Sequence, residues 1–499
     1  MSESDLAPFF EATSGDSITK LLASSWPQHD AAQLAAESKT IAVRLYEMGK
    51  NDLADALISD LVGFTQHNTG PFFELEKLKF LNQPMPTDIE DANAQAHDMA
   101  RRGIYDVIIA NRFDQIYRSL VDDTDPVVFH RHIFSAISSS KNFKEFNPEE
   151  SIKITASPPN TMSNPRQLSG PHFLVPDTYR LQNKRRRTMH LYRFKDVQLL
   201  KYGAGLAVHR QNAIFPAGMN VTGMFALHHV TQSNINLEHI ELDGPVIMPM
   251  DAFSCPNYGH WLLDYLYRIL YLLEHFHLPA NQVKILVRDN TRFYKETLAR
   301  LGISPEQIIP IGRRATVSAT ELYACSTSFT DMHTHTQNMD PAILALLRDK
   351  IGGNSMSKTP PHRKLYISRG DVGERNILGE SALIEALKKR GYEIIQPGNF
   401  SFLDQIKTFS EAHTVIGPHS SGLCNLLFSQ PSCKILEIMP SHFGTGVNAD
   451  LACTLGMDYA YWAEDTGRTF KDFRYLTSYY ARDDFSVDID DILEKESSL

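Results

Sequence analysis

Between Arg363 and Pro440 the chain repeats one pattern: a short apolar run, a polar turn, then a longer amphipathic stretch. In order these are RKLYISRGDVGER from Arg363 to Arg375, the helical ESALIEALKKRG, the strand-like YEIIQPG, the helical SFLDQIKTFSEA, then TVIGPHSSGLCNLLF from Thr414 to Phe428 and KILEIMP. Such alternation predicts parallel strands joined by crossover helices, the pattern of a nucleotide-binding lobe. Ligands of open α/β sheets sit at the carboxyl ends of the strands, so the residues just after KLYIS, TVIG and KILEI are the first candidates for a site.

With 499 residues, 42% of them hydrophobic, the chain is long enough for roughly two to four domains with their own cores. A formal net charge of −10 argues against a nucleic-acid partner, because phosphate contacts need clustered Lys and Arg on a broad surface. One basic run, Lys184, Arg185, Arg186 and Arg187, is read as a solvated loop, with contact to an anionic membrane surface as the alternative. The opening MSESDLAPFF lacks a basic segment followed by an apolar core, and no apolar run approaches a membrane span. The five cysteines, Cys255, Cys325, Cys424, Cys433 and Cys453, are odd in number and lack CxxC spacing, which fits neither a disulfide framework nor a zinc site. A cytoplasmic setting is expected, with any membrane contact peripheral at the inner face.

Residues 16–145 are helical in pattern, and LYEMGKNDLADALISDL, Leu45 to Leu61, sets a Gly49 turn between two amphipathic segments, like one tetratricopeptide-type hairpin. A weaker echo around Gly103 falls outside the period of about 34 that such arrays keep. An all-α N-terminal domain is expected over 1–146, with protein contact as one role open to it. Residues 147–170, including SPPNTMSNP, read as a linker. MHLYRF, VQLLKYG and GLAVHR predict short strands or hairpins; VIMPMD, VKILVRD and ELYACSTSF then alternate with helices beginning near Gly259, Arg292 and Asp340. The expected plan is two α/β lobes, 171–355 and 356–499, joined through the polar GGNSMSKTPPHR and facing each other across a cleft.

In NYGHWLLDYLYRILYLLEHF, Asn257 to Phe276, helical spacing puts His260, Asp264 and Arg268 on one face. A neutral His beside a carboxylate can take a proton from a sugar hydroxyl, and a purely structural network that locks the helix is the competing reading. Arg369 and Arg375, after the strand KLYIS, suit a diphosphate because guanidinium presents rigid paired donors; surface pairing with Asp371 and Glu374 is the alternative. The loop Pro418-His419-Ser420-Ser421-Gly422 before LCNLLF forms a helix N-terminus fit for an anion, unless its serines are only caps. It is no GxGxxG fingerprint and lacks the Lys of a P-loop. Glu437, ending KILEI, is placed either to accept hydrogen bonds from ribose or to meet solvent. His333, His335 and Asp331 lack a further well-placed ligand and read as a loop, so no metal site is expected.

Taken together, NYGHWLLDYLYRILYL, RKLYISR with its following Arg, FSFLDQIKTFSEAHTVIGPHSSGLCNLLF and KILEI resemble the signature of glycosyltransferase family 61, in its bacterial capsular-polysaccharide branch. The resemblance covers roughly Pro171 to Asp465 and leaves out the N-terminal helices. It implies a GT-B type pair of Rossmann-like lobes and transfer of a sugar from a nucleotide-diphosphate donor such as a UDP-sugar, inverting, with no cofactor and no essential metal. The acceptor it implies is a glycan or lipid-linked glycan of a surface polysaccharide or lipopolysaccharide. By position, Arg369 and Arg375 would neutralise the donor diphosphate, and His419, Ser420, Ser421, Gly422, Asn425 and Glu437 would complete the donor side. His260 and Asp264 would be catalytic on the acceptor side, supported by Asn257 and Arg268.

The family's usual His-Gly-Ala-Gly-Leu reads His419-Ser420-Ser421-Gly422-Leu423 here. If the backbone at Ser420 needs φ > 0, serine strains it by about 1 kcal/mol; alternatively the hydroxyls add donors to a phosphate. The family's Pro after the acidic helix motif is Tyr267 here, which suits a helix interior better. A non-catalytic binding scaffold is the competing function. A sugar-nucleotide epimerase is disfavoured by the absent GxGxxG.

Overall fold

The computed structural model describes residues 31–63, 73–102, 144–155, 166–169, 188–202, 205–210, 213–215, 236–249, 257–289, 291–312, 314–325, 330–331, 336–337, 340–370, 372–373, 375–440, 446–463 and 484–499, with single positions at 109, 113, 116 and 120. The basic run 184–187, Cys255, His333, His335, Asp371 and Glu374 lie outside the described residues.

Near the N-terminus, helices Ala31–Glu47 and Asn51–Gly63 are followed by Phe73–Asn82 and Ile89–Arg102. The expected turn is there. Gly49 adopts φ 72, its N–H donates to Tyr46 O at 3.0 Å and that of Lys50 to Leu45 O at 2.9 Å, which is how a glycine just past a helix end satisfies orphan carbonyls. Leu45, Ala54, Leu57 and Leu75 are buried between these helices.

Strands β1 (Lys144–Glu145), β2 (Glu150–Thr155), β3 (Arg166–Ser169), β4 (Thr188–Tyr202), β5 (Gly205–Arg210), β6 (Ala213–Ile214), β7 (Glu238–Met248), β8 (Lys284–Val287), β9 (Ile308–Pro310) and β10 (Arg314–Cys325) follow. All but β3 form one nine-stranded sheet in the order β1-β6-β5-β4-β10-β7-β8-β9, with β2 on β4. The run β10-β7-β8-β9 is parallel, whereas β4 is antiparallel to β10, β2 and β5. This sheet is therefore mixed: the parallel run carries the expected α/β alternation, and the antiparallel strands around β4 form the hairpin-like entrance to it. MHLYRF and VQLLKYG are one strand rather than two. Asp196 takes φ 48, its carbonyl accepts from Arg210 Nε at 3.3 Å, and pairing with β10 continues on both sides of it.

Residues 147–170 are also more than a linker. β2 joins the large sheet and β3 pairs with the C-terminal sheet, so their backbone groups are taken up by two different ladders. A two-stranded ribbon, β11 (Thr330–Asp331) with β12 (Thr336–Gln337), precedes the helix Pro341–Leu347, whose N-cap Asp340 accepts from Ala342 N at 2.8 Å.

The C-terminal strands are β13 (Arg363–Ile367), β14 (Tyr392–Ile395), β15 (Ala412–Pro418), β16 (Lys434–Met439) and β17 (Asp458–Ala463). With β3 they form a six-stranded sheet, order β14-β13-β15-β16-β17-β3, in which every pair is parallel. The chain starts at β13, winds outward to β14, then crosses back to β15, so the winding reverses between β13 and β15. Ligands of such sheets bind at this crevice. Side chains alternate between the faces: Leu365, Ile367, Val415 and Ile435 enter a core shared with the large sheet, while Tyr366, Ile416, Leu436 and Trp462 pack with Ile492 of the last helix, Ile489–Ser497. One contiguous core thus runs through both α/β units.

Candidate active site at the switch point

Both strands flanking the reversal end in polar turns. β13 passes into Ser368 and Arg369, and β15 into His419 and Ser420, all four buried. A Cβ on Gly417 would lie 2.8 Å from the Ile367 carbonyl oxygen, so only glycine lets β15 run this close to the end of β13. The segment Ser421–Phe428 is a 3₁₀ helix with Ser420 in the N-cap position. Ser420 sits at φ −158, ψ 158, which is extended backbone open to any residue; the strain considered for this serine is absent.

A cleft of about 470 Å³ opens here. Arg369, Arg375, Ser420, Ser421 and Gly422 line it from the six-stranded sheet, and Tyr258, Phe293 and Glu296 from the other unit. The two arginines therefore meet in one cavity, as their spacing suggested. Arg375 holds φ 56, an uncommon conformation for a residue with a side chain, with a cost of order 1 kcal/mol. The chain beyond it is pinned: Asn376 N donates to Asp484 Oδ1 at 2.7 Å and Phe485 N to Asn376 O at 3.0 Å.

Beneath the loop lies a buried polar network. Glu437 is fully buried; its Oε1 accepts from His419 Nδ1 at 2.6 Å and from Asn448 Nδ2 at 2.7 Å, and its Oε2 from the Tyr459 hydroxyl. Arg369 Nη1 donates to the His419 carbonyl at 3.2 Å. These contacts correct two expectations. Glu437 does not stand open at a strand end for a ribose, because inward-facing β16 places it in the sheet interior, where it holds the imidazole. His419 does not line the cleft; it ties the arginine turn to the buried carboxylate. Asn425, also fully buried, accepts from Tyr258 Oη at 2.6 Å and donates to Gln405 Oε1 at 2.8 Å, so it clamps the two units together rather than facing a ligand.

On the opposite side, Asn257 caps the turn Tyr258–His260; its Oδ1 accepts from His260 N at 3.2 Å and from Ser421 Oγ at 3.0 Å, bridging helix and loop. Next comes a five-residue π-helix, Trp261–Tyr265, before the α-helix Leu266–His275. Such π segments recur at functional sites. His260 Nδ1 and Asp264 Oδ2 are 2.6 Å apart, with the imidazole 18% exposed and the carboxylate 3%, so the acid lies under the base. Asp264 Oδ1 is buried without a hydrogen-bond partner among the described residues. Arg268 does not extend this pair outward: it is buried, donates to Pro249 O at 3.1 Å and stacks on Tyr265 at 5.1 Å. His260 and Asp264 do not line the 470 Å³ cavity itself; they lie one turn on from Tyr258, which does.

Between the two His–carboxylate pairs sits Cys424, whose thiol pKa is driven well up by burial, with the Asp264 and Glu437 charges adding to it. A Cβ on Gly259 would come within 2.8 Å of Cys424 Sγ and 3.2 Å of Asn257 Oδ1. Gly259→Ala should therefore destabilise the protein by about 1 to 3 kcal/mol, the usual cost of overpacking. Adding Cys424→Ala removes the clashing sulfur and should return part of that loss. Denaturant unfolding of the single and double variants checks this; a Gly259→Ala protein as stable as wild type would show that the approach is not limiting.

Tyr258, Phe293, Glu296 and Phe402 escaped the sequence reading although they shape the cleft. Tyr258 and Phe402 each directly follow a capping residue, Asn257 and Ser401, and a bulky residue opening a helix beside a strand end was the available signal. Glu296 Oε2 accepts from Phe402 N at 2.9 Å, a further bridge between the units. Among the described residues no group of three or more His, Cys, Asp or Glu is arranged to hold a metal ion, and Cys325, Cys424, Cys433 and Cys453 are buried. No described helix is long and apolar enough to cross a membrane.

A search of curated proteins found no match. Among solved structures, the bacterial iron-containing dodecameric glycosyltransferase TibC from enterotoxigenic E. coli H10407 is 14% identical, aligned over 56% of this chain and 80% of its own, at a TM-score of 0.21, too low to argue from. The family model described as Glycosyltransferase 61 matches residues 258–436, a span that starts at Tyr258 and takes in both arginines, the serine loop and the His260–Asp264 pair. That span is a glycosyltransferase 61 segment, and the chain that carries it is a glycosyltransferase.

Proposed function

We propose that this glycosyltransferase takes a sugar from a nucleoside-diphosphate donor, a UDP-sugar being the first candidate, and passes it to a glycan hydroxyl with inversion and without a divalent metal. The observation that carries the reading is the shared cavity of Arg369 and Arg375 at the strand reversal. Fixed guanidiniums can offset the charge that develops on a departing diphosphate, which is the task a metal would otherwise perform. The Asp264 carboxylate holds Nδ1 of His260, which leaves the lone pair of a neutral imidazole on Nε2 and makes His260 the base for the acceptor hydroxyl. The finer parts of the proposal are a cytoplasmic enzyme of surface polysaccharide or lipopolysaccharide synthesis with a GT-B type arrangement, whose N-terminal helices contact a partner.

UDP should raise the melting temperature in the presence of EDTA, since a ligand that binds only the folded state stabilises it by mass action. Arg369→Ala should reduce that binding by about 1.5 to 3 kcal/mol, the range for a charge-assisted hydrogen bond. A UDP shift that vanishes in EDTA and returns with Mg²⁺ or Mn²⁺ would overturn the metal-free reading. A chain that responds to no nucleoside diphosphate under either condition would overturn the donor class.

A further inference from the structure

We infer that the Ser420 hydroxyl is a ligand-contacting donor in the cleft, directed at a phosphate oxygen, and thus a specificity-determining group for a diphosphate-bearing substrate. The inference rests on the donor reading above and names one atom within it. Ser420 lines the cleft together with Arg369 and Arg375. It is only 8% exposed, and its Oγ is buried with no hydrogen-bond partner among the described residues. A buried hydroxyl left in that state carries a desolvation penalty, and native structures seldom retain one without a use.

The usual uses of a serine here are missing. Ser420 occupies the N-cap of the Ser421–Phe428 helix, yet its side chain makes no cap hydrogen bond. Its neighbour Ser421 is spent on Asn257 Oδ1 at 3.0 Å. Backbone geometry does not select serine either, since φ −158, ψ 158 is ordinary extended chain. A Cβ on Gly422 would press on Pro397 Cγ at 3.0 Å and meet Ser420 Oγ in ordinary contact at 3.5 Å, so glycine here keeps the wall beside the hydroxyl free of a further side chain. An O–H donor beside a helix N-terminus, in a cleft lined by Arg369, Arg375 and the Glu296-paired Arg292, is complementary to an oxyanion and poorly matched to a carbonyl or an apolar group.

Because the hydroxyl is unsatisfied before ligand binds, Ser420→Ala should act in opposite directions on the two states. Without ligand, the variant should melt at the same temperature as wild type or slightly above it. With ligand, inorganic pyrophosphate and UDP should each bind about tenfold more weakly, the loss expected for one hydrogen bond to a charged group. Isothermal titration of wild type and Ser420→Ala with these two probes, alongside apo melting curves, decides the matter. Affinities within about twofold of wild type would overturn the assignment, and so would an apo melting temperature several degrees lower, which would make the hydroxyl structural. If wild type bound neither probe, the donor reading would fall, and the assignment with it. If wild type bound both and Ser420→Ala matched it, the assignment alone would fall.

Discussion

Replacing Asp264 by Asn should lower turnover per folded molecule by about 10²-fold or more while leaving nucleoside-diphosphate affinity nearly unchanged. The reason is positional. Asp264 is 2.6 Å from Nδ1 of His260 and almost fully buried, so it cannot itself be the group that meets a large acceptor. In the mechanism proposed above it acts through the imidazole, fixing the ring and its tautomer so that Nε2 carries the lone pair. An amide of the same shape can still touch Nδ1, but it can also offer its N–H₂ and hold the ring in the wrong tautomer, and it no longer stabilises the imidazolium that forms as the acceptor proton is taken up. A loss confined to kcat separates this role from a structural one, since a helix lock would reduce activity only in proportion to folded protein. His260→Ala should match Asp264→Asn in rate, because both remove the same function. A rate per folded molecule within about threefold of wild type would remove Asp264 from the mechanism.

Glu437→Ala should cost about 3 to 5 kcal/mol of stability, a fall in melting temperature on the order of 10 °C. The substitution strips the acceptor from His419 Nδ1, Asn448 Nδ2 and the Tyr459 hydroxyl together, at a position with no access to water. Buried donors left without an acceptor carry their full desolvation cost, and the cavity adds to it. Glu437→Gln keeps the volume and part of the hydrogen bonding, so its loss should be smaller, about 1 to 3 kcal/mol. Nucleotide affinity should also drop in both, because His419 links this carboxylate to Arg369 through its own carbonyl. If Glu437 instead served a ribose, the Glu437→Ala protein would keep its apo stability and lose only affinity. Thermal melting without ligand therefore decides between anchor and ligand.

Much of this architecture was legible from pattern alone. The near-continuous apolar runs of β13, β15 and β16, buried on both faces, could only be parallel strands under crossover helices, and that order already put Arg369 and the serine loop at strand ends. Gly49 closing a helix and Asp340 and Ser401 opening others were likewise local matters, set by residues within one turn of each other. His260 and Asp264, four apart on a helix, could be paired from spacing because the helix itself supplies the geometry.

Whatever depended on distant segments meeting was decided by the tertiary structure. Helical spacing put Arg268 on the His260 face, yet it is buried against Pro249 O and the Tyr265 ring, and a five-residue π-helix, Trp261–Tyr265, interrupts the α-helical spacing between the two positions. Asn425 looked like a ligand residue and proved a clamp on Tyr258, a partner 167 residues away. Strand-end position left Glu437 open to two roles, and only the packing of Asn448, Tyr459 and His419 around it removed both. The residues 147–170 are polar enough to read as a linker, but β2 finds its partner in β4 and β3 in β17, and backbone hydrogen bonding is indifferent to side-chain polarity. The same holds for Ser420: the sequence shows a hydroxyl beside a helix start, and the fold alone reveals that this hydroxyl caps nothing and that its residue lines the same cleft as Arg369 and Arg375.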